Sequence, residues 1–279
     1  MCAAPVSAAR RLEAMESISL LPLADLCRYL PDRFPLPEFI RTTRLEVLDN
    51  LTEWKEIFEN LNDTESQHTF NDILYYRLTG DYSSMRSYSV RPHEQYFETF
   101  LDLRENSVFV DAGGFDGDTT EQFCKRYPNY RHVYLFEPVA QNLARARQRL
   151  KQFRDISFFQ EGLSERKALL SFNAEAGSAS SVDSAGSIEI PVVTLDERIR
   201  NGVSFIKMDL EGWELHALQG ARRHILNDRP ALAIAVYHEA ADFRKTYNFV
   251  TALHSDYQLY LRHYTEGWSE TVMYFIPVR

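Results

Sequence analysis

The chain has 279 residues, of which 44% are hydrophobic, with 31 basic residues against 40 acidic ones and a formal net charge of -9. A chain of this length can bury a full hydrophobic core, and it is long enough for either one large domain or two smaller ones. The acidic balance and the lack of Lys/Arg-rich runs argue against a nucleic-acid partner. Cys2, Cys27 and Cys124 show no metal-binding spacing, which predicts a reducing compartment such as the cytoplasm and argues against a disulfide scaffold.

The first thirty residues combine arginines with an apolar run. Arg10 and Arg11 precede residues 18–30, a stretch that Pro22 and Asp25 interrupt. No small-residue cleavage pattern follows it, so we predict neither a secretory signal nor an integral membrane segment. An organelle transit peptide is the alternative.

Apolar residues at helical spacing predict helices between residues 36 and 80, and Gly80 is a typical helix stop. The two stripes are Trp54, Ile57, Phe58 and Leu61, then Phe70, Ile73, Leu74 and Leu78. We therefore divide the chain into an N-terminal helical cap and substrate region over residues 1–104 and a cofactor-binding domain over residues 105–279.

The cap is rich in tyrosine, and two interpretations of these side chains stay open. The residues concerned are Tyr75, Tyr76, Tyr82, Tyr88 and Tyr96. They either line a pocket for an acceptor substrate or pack as ordinary half-buried aromatics, which is the commoner case for any single tyrosine.

Residues 108–120 predict a strand, a tight glycine turn and a helix. The apolar run is followed by Gly113, Gly114 and Gly117, and the pair Asp118 and Glu121 has the spacing of a capping box. Such a turn brings bare backbone and a helix N-terminus close to a ligand. Asp111, at the end of the strand, adds a carboxylate that can hold an ammonium or a hydroxyl group. A nucleotide-like cofactor is expected here.

The spacing of the turn narrows the choice of cofactor. A dinucleotide fingerprint starting at Gly113 needs glycines where Phe115 and Asp118 stand, and no Gly-Lys-Ser/Thr follows for a phosphate loop. Asp116 and Asp118 lie on a loop without Lys or Arg, which would repel a pyrophosphate and suits a cationic ligand. S-adenosylmethionine, with its sulfonium and amino groups, is such a ligand.

Strands and helices alternate after this turn. Predicted strands cover residues 133–136, 156–159, 188–193, 205–209 and 231–236, and predicted helices cover residues 139–153, 215–226 and 240–253. Residues 257–261 and 272–276 predict a closing antiparallel pair. This alternation predicts an α/β fold, with a mainly parallel, doubly wound sheet covered by helices on both faces.

Three connecting segments carry their own signals. Residues 161–164 predict a turn, and residues 174–187, rich in Ser, Gly and Ala, predict a mobile loop. Thr194 with Glu197 predicts a capped short helix.

Several side chains follow successive strands, where ligands bind in sheets of this kind. They are Asp111, Glu137, Glu161, Asp209 and His238. We expect them to share one rim. Glu137 follows the second strand and is placed to accept hydrogen bonds from a ribose diol.

Five motifs follow one another along the chain. They are Asp-Ala-Gly-Gly-Phe-Asp-Gly from residue 111, Phe-Glu-Pro from 136, Gly-Leu-Ser from 162, Val-Thr-Leu-Asp-Glu from 193 and Phe-Ile-Lys-Met-Asp-Leu-Glu-Gly-Trp-Glu from 205. In this ordered set the sequence resembles the FkbM-type family of S-adenosylmethionine-dependent methyltransferases. The resemblance covers roughly residues 107–279. Residues 70–100 also resemble the lead-in of family members associated with polysaccharide and lipopolysaccharide synthesis.

The resemblance implies a seven-stranded, Rossmann-like class I methyltransferase fold and O-methylation of a sugar, glycan or natural-product hydroxyl. Carried over from the family, Asp111, Gly113 and Glu137 would belong to the cofactor site. Our full prediction for this site adds Gly114, Asp116, Gly117, Glu161 and Asp209. Asp209 and Glu211 would also face the acceptor. The sequence departs from the family at Gly114, where alanine is frequent and the change is expected to be harmless, and at Glu161, where many members have asparagine.

Methyl transfer from a sulfonium is a direct displacement, so orientation of the acceptor supplies much of the rate, up to ~7–11 kcal/mol. A sugar hydroxyl also benefits from a base. His238 is the rim candidate whose ordinary pKa lies near neutrality, and we expect it to share this role with Asp209, with Glu211 as a further candidate. The alternative is that His238 only packs at a strand end.

The same part of the sequence offers ligand types for magnesium, at Asp209, Glu211, His238 and Glu239. Their spacing in the sequence does not show that these side chains come together around one ion, so no metal is predicted.

Two other functions stay open. One is a sugar-nucleotide enzyme with a nicotinamide cofactor, against which the glycine spacing argues. The other is a non-catalytic protein that binds S-adenosylmethionine. The sequence predicts a small-molecule or glycan acceptor and gives no indication of oligomeric state.

Overall fold

The computed structural model describes residues 5–15, 19–173, 181–182 and 188–278. The contacts within it divide the chain into two compact units. The first comprises Met1–Gln95, Val236–Arg244 and Leu259–Met273, and the second Tyr96–Ala235, Lys245–Gln258 and Tyr274–Arg279. In the described ranges, none of the helices has the length and hydropathy needed to cross a membrane. The domain boundary placed at residue 104 stays a prediction.

Helices dominate the N-terminal part of the first unit. They are α1 (Pro5–Glu13), α2 (Leu23–Tyr29), α3 (Glu38–Asp49), α4 (Leu51–Asn60), α5 (Thr64–Thr79) and a 3-10 helix (Tyr82–Ser87). The α5 helix begins where Asp63 accepts a hydrogen bond from the Ser66 amide and ends at Gly80, whose φ is 74°. The predicted helical stop at Gly80 is confirmed, because a left-handed residue at this position closes the last turn.

The strands are β1 (Val108–Ala112), β2 (His132–Phe136), β3 (Ile156–Phe159), β4 (Gly162–Leu163), β5 (Ala168–Asn173), β6 (Ser181–Val182), β7 (Ile188–Val193), β8 (Phe205–Met208), β9 (Ala231–Ala235), β10 (Tyr257–His263) and β11 (Thr271–Pro277). Seven of them form one sheet in the order β10-β11-β9-β8-β1-β2-β3, and a small sheet has the order β4-β7-β5-β6. The run β9-β8-β1-β2-β3 is parallel throughout. The predicted seven-stranded, mainly parallel fold is confirmed.

The helices that follow the first strands are α6 (Asp118–Arg126), α7 (Ala140–Arg149), α8 (Leu195–Arg198), α9 (Glu214–Gly220), α10 (Arg222–Asp228) and α11 (Ala241–Leu253). Both faces of a parallel sheet are covered, which explains why every residue of β1, β8 and β9 is buried. Phe109 stacks on Phe123 at 4.4 Å and on Phe205 at 5.0 Å between ring centroids. This aromatic packing fixes β1 against α6 and β8.

The connecting segments of the second unit differ in part from those that the sequence predicts. The single helix expected over residues 215–226 is two helices, α9 and α10. The turn expected over residues 161–164 contains β4, which pairs with β7. Parts of the loop predicted at residues 174–187, namely 174–180 and 183–187, lie outside the described residues. The Thr194 cap is confirmed, since its hydroxyl accepts a hydrogen bond from the Glu197 amide at 3.1 Å.

The predicted capping box at the start of α6 is wrong. Gly117, with φ 83°, is the N-cap, and no side chain caps the helix. The Asp118 carboxylate instead accepts a hydrogen bond from the amide of Thr119 at 2.7 Å. A residue in the left-handed conformation favours glycine, so the backbone rather than a capping side chain turns the chain into α6.

Candidate active site

The glycine turn between β1 and α6 is packed against protein on several sides. A Cβ atom on Gly113, whose φ is 77°, would lie 1.9 Å from the carbonyl oxygen of Asp209. A Cβ on Gly114 would lie 2.5 Å from Leu135, so the glycine found here leaves room for that side chain. These glycines bring β1 close to β8 and β2, rather than opening space for a ligand at their own Cα atoms.

Asp111 forms a buried ion pair with Lys207. The two residues are register partners on the neighbouring strands β1 and β8, and Lys207 Nζ lies 3.2 Å from Asp111 Oδ1. The other carboxylate oxygen of Asp111 accepts a hydrogen bond from the Thr120 hydroxyl at 2.7 Å. Asp111 thus holds an ammonium and a hydroxyl group, as its position predicted, but both groups belong to the protein.

The ammonium of Lys207 also binds the turn. It donates to the carbonyl oxygens of Gly113 at 2.7 Å and Ala112 at 3.3 Å. Burial lowers the pKa of Lys207, but Asp111 and Asp209 more than offset this, so the pKa stays above its ordinary value. Lys207 is therefore a fixed positive charge beneath the turn, held by two carbonyl oxygens and by the carboxylate of Asp111.

Glu137 lies at the carboxyl end of β2 and is buried. Its carboxylate accepts hydrogen bonds from the amides of Phe115 at 3.0 Å and Val139 at 2.9 Å, and from Asn142 at 3.4 Å. Burial raises the pKa of Glu137, although these hydrogen bonds oppose the shift. The carboxylate therefore holds the tip of the glycine turn, and three of its roughly four acceptor positions are in use.

Asp116, at the tip of the turn, is paired with a residue from the next helix. Arg149 of α7 lies 2.5 Å from its carboxylate and donates to its carbonyl oxygen at 3.0 Å. The turn itself lacks Lys and Arg, but the fold supplies an arginine to it. Because this arginine offsets the charge of Asp116, the Asp116 carboxylate repels a pyrophosphate less strongly than the sequence of the loop alone suggested.

Asp209 follows β8, and its backbone amide donates to the carbonyl oxygen of Ala112 at 3.1 Å. Its carboxylate accepts a hydrogen bond from the hydroxyl of Tyr96 at 2.8 Å. The Tyr96 ring lies 5.3 Å from the ammonium of Lys207. Tyr96, Lys207 and Asp209 therefore form one cluster at the edge of β8.

The segment after Asp209 has an unusual backbone. Glu211 has φ 54° and Gly212 has φ 92°. Glu214, which is buried at the start of α9, accepts hydrogen bonds from the amides of Leu210 at 2.6 Å and Gly212 at 3.4 Å. This carboxylate fixes the loop that carries Asp209 and Glu211.

Glu161 follows β3 and forms an ion pair with Arg198 of α8 at 2.9 Å. The guanidinium of Arg198 also lies 4.5 Å from the centre of the Phe159 ring. Glu161 is thus paired with Arg198, a contact that the sequence did not predict.

His238 belongs to the first unit. Its ring lies 4.0 Å from that of Tyr237, which lies 5.8 Å from the indole of Trp268. The buried guanidinium of Arg77 donates to the carbonyl oxygen of Tyr237. Burial lowers the pKa of Arg77 to about 10, and this arginine fixes the backbone that carries His238.

Three residues that shape the site, Arg149, Lys207 and Glu214, were not among the predicted site residues. Tyr96 was one of the five tyrosines for which a pocket role stayed open, but its contact with Asp209 was not predicted. Lys207 had a detectable signal, because it stands between apolar residues in a buried-type strand and a charge there requires a partner. The pairings of Arg149 and Tyr96 had no such signal, since their partners lie 33 and 113 residues away in the sequence.

A family model described as the methyltransferase FkbM domain matches residues 111–265, more than half of the chain. The chain belongs to the FkbM methyltransferase family. The match includes the FkbM segments that carry Asp111, Glu137, Lys207 and Asp209. It begins after Tyr96.

A solved structure agrees with this assignment. The chain is similar to the methyltransferase FkbM from Methylobacillus flagellatus KT, with 26% identity and a TM-score of 0.72 over 83% of this chain and 60% of that one. It therefore spans less than two thirds of that FkbM protein's length. No curated protein matches the chain.

Two further solved structures are similar to this chain at lower identity. An rRNA methylase from Streptococcus thermophilus has 17% identity and a TM-score of 0.43 over 63% of this chain and 90% of that one. Fibrillarin from Aeropyrum pernix, in complex with S-adenosyl-L-methionine, has 10% identity and a TM-score of 0.40 over 63% and 70%.

Proposed function

We propose that this FkbM methyltransferase uses S-adenosylmethionine to methylate a hydroxyl group of a sugar, glycan or related natural product, with a role in polysaccharide biosynthesis. The observation that carries the proposal is the row of acidic residues at the carboxyl ends of neighbouring parallel strands. Glu137 follows β2 and Asp209 follows β8, on either side of β1. In open α/β sheets this edge is where ligands bind.

The charges of the described residues fit such a cofactor. The ammonium of Lys207 is bound to Asp111 and to two carbonyl oxygens, and Arg149 is bound to Asp116. Neither cation is positioned for a phosphate, whereas the carboxylates of Glu137 and Asp209 suit a ligand that carries positive charge and hydroxyl groups. This balance favours S-adenosylmethionine over a pyrophosphate cofactor such as a nicotinamide dinucleotide.

The predicted cofactor residues divide into two roles under this proposal. Glu137 and Asp209 would contact the cofactor directly. Asp111 and the three glycines would act by holding the turn in place, since Asp111 is fully buried and the glycines pack against protein. Asp116 and Glu161, each paired with an arginine, would border the site.

S-adenosylmethionine would supply an electrophilic methyl group on its sulfonium. The chain's own residues would orient the acceptor hydroxyl and receive its proton as the new C–O bond forms and the S–CH3 bond breaks. We assign the orienting role to Asp209 and Glu211. His238 is the candidate base, because an imidazole ordinarily titrates near neutral pH.

Calorimetry with S-adenosylmethionine and with NAD tests the cofactor assignment. We expect binding of S-adenosylmethionine alone, and a loss of affinity of about 10- to 100-fold in Glu137→Gln, because a hydrogen bond to a charged group contributes ~1.5–3 kcal/mol. Glu105→Gln, which changes an exposed carboxylate, is the matched control. Binding of NAD alone would favour the nicotinamide enzyme instead.

Release of S-adenosylhomocysteine with a panel of methyl glycosides and nucleotide sugars tests the reaction. Turnover with one of these acceptors supports O-methylation. Tight binding of S-adenosylmethionine without turnover of any acceptor would favour the non-catalytic alternative. In an active wild type, His238→Ala with near wild-type turnover and unchanged cofactor binding would remove His238 as the base.

A further inference from the structure

Tyr96 lies outside the segment that matches the family model, yet its side chain reaches the rim of the sheet. It belongs to the second unit, is buried, and stands twelve residues before β1. Its backbone is in the left-handed region, with φ 72°. This conformation is disfavoured for a bulky side chain and persists only where the surroundings hold it.

Two contacts hold Tyr96 in place. Its amide donates to the hydroxyl of Tyr274 at 3.1 Å, and its ring lies 5.3 Å from the buried ammonium of Lys207. The ring of Tyr274 in turn meets that of Phe100 edge to face at 5.2 Å. The backbone strain at Tyr96 is therefore supported by contacts that aim its hydroxyl in one direction.

That direction is the carboxylate of Asp209. The Tyr96 hydroxyl donates to Oδ2 of Asp209 at 2.8 Å, which is a good hydrogen-bond distance for this pair. The loop that follows is also strained, with φ 54° at Glu211. Strained residues cluster where a protein holds groups in a fixed geometry for function.

We propose that Tyr96 is a positioning residue for methyl transfer and that it acts through Asp209. The inference rests on the proposed function, in which Asp209 orients the acceptor hydroxyl. A hydrogen bond to one carboxylate oxygen fixes the rotation of the whole carboxylate, and with it the direction in which Asp209 meets the acceptor. Small errors in such a direction cost large factors in rate, because the displacement requires the acceptor oxygen in line with the bond that breaks.

Tyr96→Phe tests this role, since it removes only the hydroxyl group. We expect kcat with the best acceptor of the panel to fall at least tenfold, while the calorimetric Kd for S-adenosylmethionine, which Asp209 also contacts under the proposed function, rises by a clearly smaller factor. Tyr257→Phe is the matched control. It removes a tyrosine hydroxyl that donates to the carbonyl oxygen of Pro230 at 2.9 Å, and it should leave kcat unchanged.

A double variant separates positioning from a general structural effect. If Tyr96 acts through Asp209, Asp209→Asn lowers kcat, and adding Tyr96→Phe lowers it little further. Multiplication of the two single effects would contradict the inference, and so would a Tyr96→Phe enzyme with wild-type kcat. A loss of cofactor affinity equal to the loss of kcat would also contradict it.

Two further outcomes are decisive. If Tyr96→Phe does not fold, Tyr274→Phe replaces it, because this change releases the Tyr96 amide and leaves the Tyr96 hydroxyl in place. We then expect kcat to fall by a larger factor than the cofactor affinity, and an unchanged kcat overturns the inference. If the wild type methylates no acceptor of the panel, the proposed function fails and this inference fails with it, whereas an active wild type with an equally active Tyr96→Phe removes this inference alone.

Discussion

Replacement of Lys207 by methionine should strongly destabilise the fold. The side chains of Lys207 and Asp111 are 4% and 0% exposed, and the ion pair between them measures 3.2 Å. Methionine fills a similar volume but leaves the Asp111 carboxylate buried with only the Thr120 hydroxyl as a donor. Removing one partner of a buried ion pair costs about 3–5 kcal/mol, because the remaining charge has lost its compensation.

The cost of Lys207→Met should appear in urea unfolding followed by circular dichroism, and as a fall in Tm. For a chain of this length 1 kcal/mol corresponds to roughly 2–4 °C, so we expect a decrease of about 6–20 °C. The double variant Lys207→Met/Asp111→Asn removes both charges and keeps an acceptor for Thr120. It should recover most of the lost stability.

The single and double variants together test whether Lys207 and Asp111 are energetically coupled. A Lys207→Met protein that loses less than about 1 kcal/mol would show that the Asp111 carboxylate is not left uncompensated. A double variant whose loss equals the sum of the two single losses would show that the pair is not coupled. Either result would refute the claim that this ion pair holds the glycine turn.

Three further changes have clear expectations. Gly113→Ala should cost more than about 1 kcal/mol in urea unfolding, because its Cβ would lie 1.9 Å from a carbonyl oxygen at φ 77°, whereas Gly202→Ala, with 3.6 Å to its nearest atom, should change stability little. Burial lowers the pKa of His263 to about 3. Since the folded state favours the neutral ring, His263 contributes its full stability above pH ~6.5 and loses about 2 kcal/mol of it at pH 5, a loss that His263→Gln should lack in unfolding curves at both pH values. Burial raises the pKa of Cys124 to about 11, so its thiol should react with Ellman's reagent at pH 8 only after unfolding. We therefore expect the native wild type and native Cys124→Ser to be labelled to the same extent.

Local patterns in the sequence were enough to predict the parallel α/β core. The run at β1, the stop at Gly80 and the cap at Thr194 are each visible within a few residues, because strand burial, left-handed helix ends and capping hydrogen bonds are local properties. The same patterns did not show that α9 and α10 are separate helices or that Gly117 rather than Asp118 caps α6. Both depend on backbone angles that apolar spacing does not encode.

The sequence by itself determined which residue types stand at the carboxyl ends of the strands, namely Asp111, Glu137 and Asp209. Only the tertiary structure decided what each one does there. The register of β1 beside β8 places Lys207 opposite Asp111, and the segment before β1 brings the Tyr96 hydroxyl to Asp209. Charges and hydrogen-bond donors act over a few ångströms, and such distances between residues far apart in the chain are set by packing rather than by sequence spacing.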